Sequence, residues 1–137
     1  MKEQTILIVE NNKTPLYFLK KSFRLAGFDV FTAENCIEAL KLIKENEFDL
    51  LLLDYFLKDG TAFDICKEVR AEIKPFKIPI IILSGQTELI GNAVYECKAD
   101  LFMDKGQSSC SRVVLAAKAL LRRIAWERTP EQKTLKI

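Results

Sequence analysis

The sequence predicts an α/β domain with a five-stranded parallel sheet and helices on both faces. Short, wholly apolar runs of strand length recur along the chain, and amphipathic stretches of helical length alternate with them. With 137 residues, 49% of them hydrophobic, the chain has the size and apolar content of one domain built on a real core. There is no internal repeat or low-complexity segment to suggest another architecture.

Each element can be justified in turn. Thr5 to Val9 (TILIV) is apolar and rich in β-branched residues, as a strand buried on both faces requires, and it ends at Glu10. Thr14 and Pro15 read as the N-cap and first helical residue of a helix carrying Leu16, Leu19, Phe23, Leu25 and Ala26, which Gly27 stops. A second strand, Phe28 to Thr32, follows. Glu34 to Asn46 places Ile37, Leu40, Leu42 and Ile43 on one side of a helix, and Phe48 to Leu53 is a third buried strand ending at Asp54. After a turn at Asp59 and Gly60, Phe63, Ile65, Cys66 and Val69 predict a third helix. Pro75 and Pro79 punctuate the approach to a fourth strand, Ile80 to Leu83, which Ser84 and Gly85 terminate. A weaker helix from about Thr87 to Cys97, a short strand Leu101 to Met103 and a long helix from about Ser109 complete five βα units. Right-handed crossovers then lay the strands parallel.

Composition excludes several chemistries. There is no histidine, so Ser-His and Cys-His catalysis, histidine metal ligation and a phosphohistidine carrier role are all absent. Cys36, Cys66, Cys97 and Cys110 form no Cys-x-x-Cys pair and are expected to be reduced, mostly buried thiols. The longest apolar runs, Leu50 to Leu53 and Ile78 to Leu83, fall far short of the roughly 20 residues that span a bilayer, and Met1 opens a charged stretch. A cytoplasmic protein without membrane contact is expected. The net charge of +2 hides an asymmetry. Residues 1–108 carry 14 Lys/Arg against 17 Asp/Glu, and residues 109–137 carry 7 against 2. The basic end, with Arg112, Lys118, Arg122, Arg123 and Arg128 beside Trp126, reads as a solvated helix face. No helix-turn-helix follows it, so no direct DNA binding is expected.

In open α/β sheets, ligands bind beyond the carboxyl ends of the strands, where the winding direction switches. Those ends hold Glu10, Asn11 and Asn12, then Asp54, Ser84 and Lys105. Carboxylates, a hydroxyl and an ammonium at such positions suit a phosphate and metal site.

Four segments, ILIVENN, LLLDYFLKDGTAF, IPIIILSG and ADLFMDKG, resemble the signature segments of the response-regulator receiver family, in register from about residue 4 to residue 126. The resemblance implies a (βα)5 flavodoxin-like fold with strand order 2-1-3-4-5, a receiver domain over residues 1–126, and a basic tail or linker-helix start over 127–137. It makes Asp54 the phosphoacceptor, with Ser84 and Lys105 binding the phosphoryl oxygens and Phe102 as the aromatic switch, although Phe102 taken alone reads as a core residue. Mg²⁺ would be held by Glu10, Asn11, Asp54 and the carbonyl oxygen of Phe56. The implied activity is signalling rather than enzymatic turnover, beyond the domain's own phosphorylation and dephosphorylation. The partners are a histidine kinase or phosphotransfer protein and a downstream output domain or protein.

The chain departs from the family pattern at Asn11, where a second acid is usual, at Lys58, and at Gly106 after the lysine. An amide oxygen lacks the carboxylate charge. At about 4 Å and an effective dielectric of 20 such a charge contributes up to about 4 kcal/mol, so Mg²⁺ should bind at least about tenfold more weakly. The lysine-glycine pair and the long basic helix are similar to receivers that stand at the front of larger sensor proteins. A degenerate receiver acting as a constitutive interaction module is therefore a competing expectation. A nucleotide or flavin enzyme is disfavoured because the first loop, ENNKT, has no glycine to admit a pyrophosphate.

Overall fold

The computed structural model describes residues 3–72, 77–86 and 91–130. In chain order the elements are β1 (Thr5–Val9), α1 (Lys13–Leu25), β2 (Asp29–Ala33), α2 (Cys36–Glu45), β3 (Leu50–Asp54), β4 (Phe56–Leu57), β5 (Gly60–Thr61), α3 (Ala62–Ala71), β6 (Ile80–Ser84), α4 (Gly91–Cys97), β7 (Leu101–Asp104) and α5 (Cys110–Glu127). One wholly parallel sheet runs β2-β1-β3-β6-β7. The expected order 2-1-3-4-5 is thus present once the small antiparallel hairpin of β4 and β5 is left out of the count.

Successive strand residues point to opposite faces, so continuous apolar strands build two cores. Leu7, Val9, Leu51, Leu53, Ile80 and Ile82 pack with Ala39, Ile65, Cys66 and Cys97 from α2, α3 and α4. Ile6, Ile8, Leu50, Leu52, Ile81 and Leu83 pack on the other side with Leu19 and Phe23 of α1 and Val113, Ala117 and Leu120 of α5. The register pairs Val9 with Leu53, Asp54 with Leu83 and Ser84 with Asp104, which brings the polar strand ends to one edge.

Several boundaries differ from those expected. Thr14 is not the cap of α1. Asn12 is, because its carboxamide oxygen accepts the Thr14 N–H at 3.3 Å from an extended backbone. Pro15 then lies in the first turn, where a missing N–H costs nothing. Phe28 precedes β2 because its N–H closes α1 on the Phe23 carbonyl at 3.1 Å. Asn35 caps α2 through the Glu38 N–H at 2.8 Å, so that helix begins at Cys36. The turn at Asp59 and Gly60 is the tip of the β4–β5 hairpin, with Phe56 opposite Thr61. Gly60 has φ +156, and a Cβ there would collide with the Asp64 carboxylate, whose oxygen accepts the Thr61 N–H at 2.9 Å.

The weaker helix expected from Thr87 is present as Gly91–Cys97. Residues 87–90 and Pro75 lie outside the described residues. Ser109 caps α5 through the Arg112 N–H at 3.2 Å. Among the described residues no helix is long and apolar enough to cross a membrane.

Candidate functional site

The site lies where the sheet changes winding direction, between β1 and β3. Glu10 follows β1 directly, and its backbone N–H is bound by the Ala33 carbonyl of β2 at 3.0 Å. Its side chain is only 2% exposed, although it is charged. Both oxygens are used: Oε1 accepts the Asn12 N–H at 3.1 Å, and Oε2 accepts the Lys105 ammonium. A carboxylate this deeply buried persists only when paired in this way.

Asp54 closes β3, its side chain 11% exposed. Lys105 Nζ donates to its Oδ2 at 3.4 Å, so one ammonium bridges two carboxylates 44 positions apart in sequence. Burial and repulsion from Glu10 push the Asp54 carboxyl up from its ordinary 3.8 to about 6, against the opposing pull of Lys105 and of the Tyr55 backbone N–H. The set therefore carries two acids against one base, a surplus that a phosphoryl group alone would not relieve and a cation would.

Lys105 is placed by the sheet. Its N–H bonds the Ser84 carbonyl at 2.9 Å, extending the β6–β7 pairing one residue past β7. Ser84 itself is 1% exposed, and its hydroxyl oxygen accepts the Gln86 N–H at 3.4 Å. Phe102, two residues back from Asp104 on β7, is half-buried against the core on the α2–α4 face. Phe56 begins the hairpin two residues after Asp54. It is partly exposed, with its ring edge-on to Tyr55 at 4.9 Å. Asn11 is half-buried between Glu10 and the α1 cap.

Glu10, Asp54 and Lys105 are thus joined directly, and Ser84 is joined to them through the Lys105 backbone. Asn11 and Phe56 are adjacent to the set through the chain, and Phe102 flanks it on β7. Among the described residues no group of three Asp, Glu, Cys or His side chains converges on a metal position. Two carboxylates with the neutral amide oxygen of Asn11 still fit a hard cation that keeps much of its water, and Mg²⁺ is the familiar case.

One structural contributor was not anticipated as more than a turn residue. Asp59 accepts the N–H groups of Cys36 at 2.7 Å and Ile37 at 3.0 Å, so it anchors the hairpin after Asp54 onto the N-terminus of α2. Those hydrogen bonds hold its carboxyl below the usual range. The Asp-Gly pair signalled the turn, but nothing local indicated a helix 23 residues upstream as the acceptor of its charge.

A family model for the response regulator receiver domain matches residues 6–114. Among solved structures, a two-component response regulator from Clostridium difficile is 28% identical, with a TM-score of 0.78 over 89% of this chain and 98% of that chain. A response regulator from Chloroflexus aurantiacus J-10-fl, itself only provisionally assigned, is 30% identical, with a TM-score of 0.79 over 88% and 99%. A receiver domain protein from Methanospirillum hungatei JF-1, at 22% identity and a TM-score of 0.83 over 92% and 99%, shares the fold.

Proposed function

The chain belongs to the response regulator receiver domain family, and from that premise we propose that it accepts a phosphoryl group on Asp54 and converts the event into a changed protein-binding face. The observation that carries this reading is the buried Glu10–Lys105–Asp54 set at the carboxyl edge of the sheet. A carboxylate there is shielded from bulk water yet reachable, and it stands beside a cation that can follow the transferred charge.

In the proposed step an Asp54 oxygen attacks the phosphorus of a phosphohistidine or a small acyl phosphate. The new O–P bond forms as the P–N or P–O bond to the donor breaks, and the leaving group departs with the electron pair. Lys105 exchanges part of its contact with the carboxylates for the phosphoryl oxygens, and the Ser84 hydroxyl donates to another. Glu10, Asn11, Asp54 and the Phe56 carbonyl would hold Mg²⁺, which when bound neutralises phosphoryl charge. Phe102 then moves inward as the Ser84 hydroxyl turns, biasing the surface formed by α4, β7 and α5 toward its partner-binding state. A histidine kinase or phosphotransfer protein supplies the phosphoryl group, and a downstream protein or tethered domain reads the face.

A second reading rests on Asn11: with one acid fewer, the chain is a receiver that no longer cycles and binds its partner constitutively. Intact mass after incubation with acetyl phosphate over a Mg²⁺ series separates the two. Gain of one phosphoryl group, dependent on Mg²⁺ and absent from Asp54→Ala, supports phosphotransfer. No gain at high Mg²⁺ supports the constitutive module.

A further inference from the structure

The helices on the two faces of the sheet differ in what they show to water. On one face α1 carries Lys13, Lys20, Lys21 and Arg24 and no acid. Beside it α5 carries Arg112, Lys118, Arg122 and Arg123, with Glu127 as its one acid. On the other face α2 and α3 together carry four cations and four acids, so no surplus stands there. Glu127 pairs with Arg123 at 3.8 Å, which among the described residues is the only ion pair on α1 or α5. Leu19 and Phe23 of α1 enter the same core as Val113, Ala117 and Leu120 of α5, so the opposite, cationic sides of both helices look outward in one direction.

The same outward surface is also apolar. Leu25 is 81% exposed and Trp126 58%, and Tyr17, Phe18 and Leu115 are likewise more than half exposed. The rings of Tyr17 and Phe18 meet edge-on at 5.3 Å and present one aromatic patch. A single exposed apolar side chain needs no explanation, whereas five of them among eight cations on one side of the sheet mark a contact surface. Between the two helices lies a groove of about 290 Å³. Lys118 and Arg122 stand one turn apart on its wall, with Ala26, Phe28 and Leu121 beside them and no acid in the lining.

We propose that the α1–α5 face binds the surface of an anionic lipid bilayer, lying on it without crossing it. The expectation of a chain without membrane contact rested on span length, and adsorption at the lipid interface needs no span. The cations meet the lipid phosphates, and the groove between Lys118 and Arg122 receives one of them. Tyr17, Phe18 and Trp126 enter the headgroup layer, where a ring with one apolar and one wet side is at home, and Leu25 and Leu115 reach past it. A nucleic-acid backbone would satisfy the cations equally well. It offers no apolar surface to Leu25 and Leu115, and neither side chain has a π-face to stack on a base. This inference does not depend on phosphotransfer to Asp54, which lies at the carboxyl edge of the sheet.

The test mixes the full chain with vesicles of phosphatidylcholine, with and without about 30% phosphatidylglycerol, and reads co-sedimentation and the fluorescence of Trp126, the chain's one tryptophan. Binding is expected on the anionic vesicles alone, with a blue shift of Trp126, and should weaken at least about tenfold as salt rises from about 50 to about 500 mM. Lys21→Gln/Arg24→Gln on α1 should lose at least about tenfold in affinity. Lys41→Gln/Lys44→Gln on α2 makes the same change in net charge and should stay within about twofold of wild type. Phe18→Ser/Leu25→Ser should weaken binding and leave its salt dependence in place. No binding to the anionic vesicles, equal binding to both kinds, an unmoved Trp126 spectrum, or equal losses in the two charge variants would overturn the proposal. Binding of duplex DNA or poly-glutamate at the same salt without vesicle binding would also overturn it, and would give the face to a nucleic acid or an acidic protein.

Discussion

Replacing Asp54 with asparagine should stabilise the fold at neutral pH. The carboxyl is raised from 3.8 to about 6, chiefly by burial and then by Glu10, so its ionised form is less favourable in the folded chain than in the unfolded one. For a carboxyl shifted upward, the contribution to stability is fully present below the unfolded value and is lost as pH rises from 3.8 through about 6. The full shift corresponds to an upper limit of about 3 kcal/mol of destabilisation at pH 7.5. That shift already includes the opposing 3.4 Å contact to Lys105, which keeps Glu10 as its partner, and solvent at the pocket mouth screens part of the remainder. A net gain of about 1 kcal/mol remains.

Urea denaturation of wild type and Asp54→Asn at pH 7.5 and pH 4.5, without Mg²⁺, measures this. The variant should be the more stable by about 1 kcal/mol at pH 7.5, or about 2–5 °C in Tm. The advantage should fall to about a third at pH 4.5, where the wild-type carboxyl is protonated in the folded state. A variant less stable than wild type at pH 7.5, or an advantage independent of pH, would falsify the account of Asp54 as a strained buried acid.

Three further outcomes follow from the same contacts. Lys105→Met leaves Glu10 buried without its cation and should cost about 3 kcal/mol at pH 7.5, seen as a lowered urea midpoint that recovers partly in acid. Asn11→Asp adds a third carboxylate and should tighten Mg²⁺ binding by about tenfold, read by calorimetry on the unphosphorylated chain; an unchanged affinity would place the cation away from Asn11. Asp59→Ala removes the two hydrogen bonds to the N-terminus of α2 and should cost about 1 kcal/mol in urea denaturation. Hydrogen exchange should rise at the amides of Cys36 and Ile37, whereas unchanged protection there would show that the hairpin anchor is unimportant.

The fold and the site were legible to different depths. TILIV, LLLL and IIIL could only be strands buried on both faces, and their alternation with amphipathic helices left a parallel sheet as the way to cover them. Strand-end polarity then singled out Glu10, Asp54, Ser84 and Lys105 without any knowledge of which strands are neighbours. Boundaries were less legible where side chains compete for backbone groups. Asn12 rather than Thr14 makes the first cap because its carboxamide oxygen takes the Thr14 N–H, which starts the helix two residues earlier than the Thr-Pro pair suggested.

What the sequence determined by itself was therefore the class of fold, the periodic faces and the set of polar residues at one edge. These are consequences of the two- and 3.6-residue periods of the backbone, which any local stretch reveals. The tertiary structure alone decided that one Lys105 ammonium serves both Glu10 and Asp54, and that Asp59 closes onto α2. Each of these contacts joins residues 23 to 95 positions apart. Their formation depends on strand order, register and helix docking, which packing of the whole chain sets and no local period encodes.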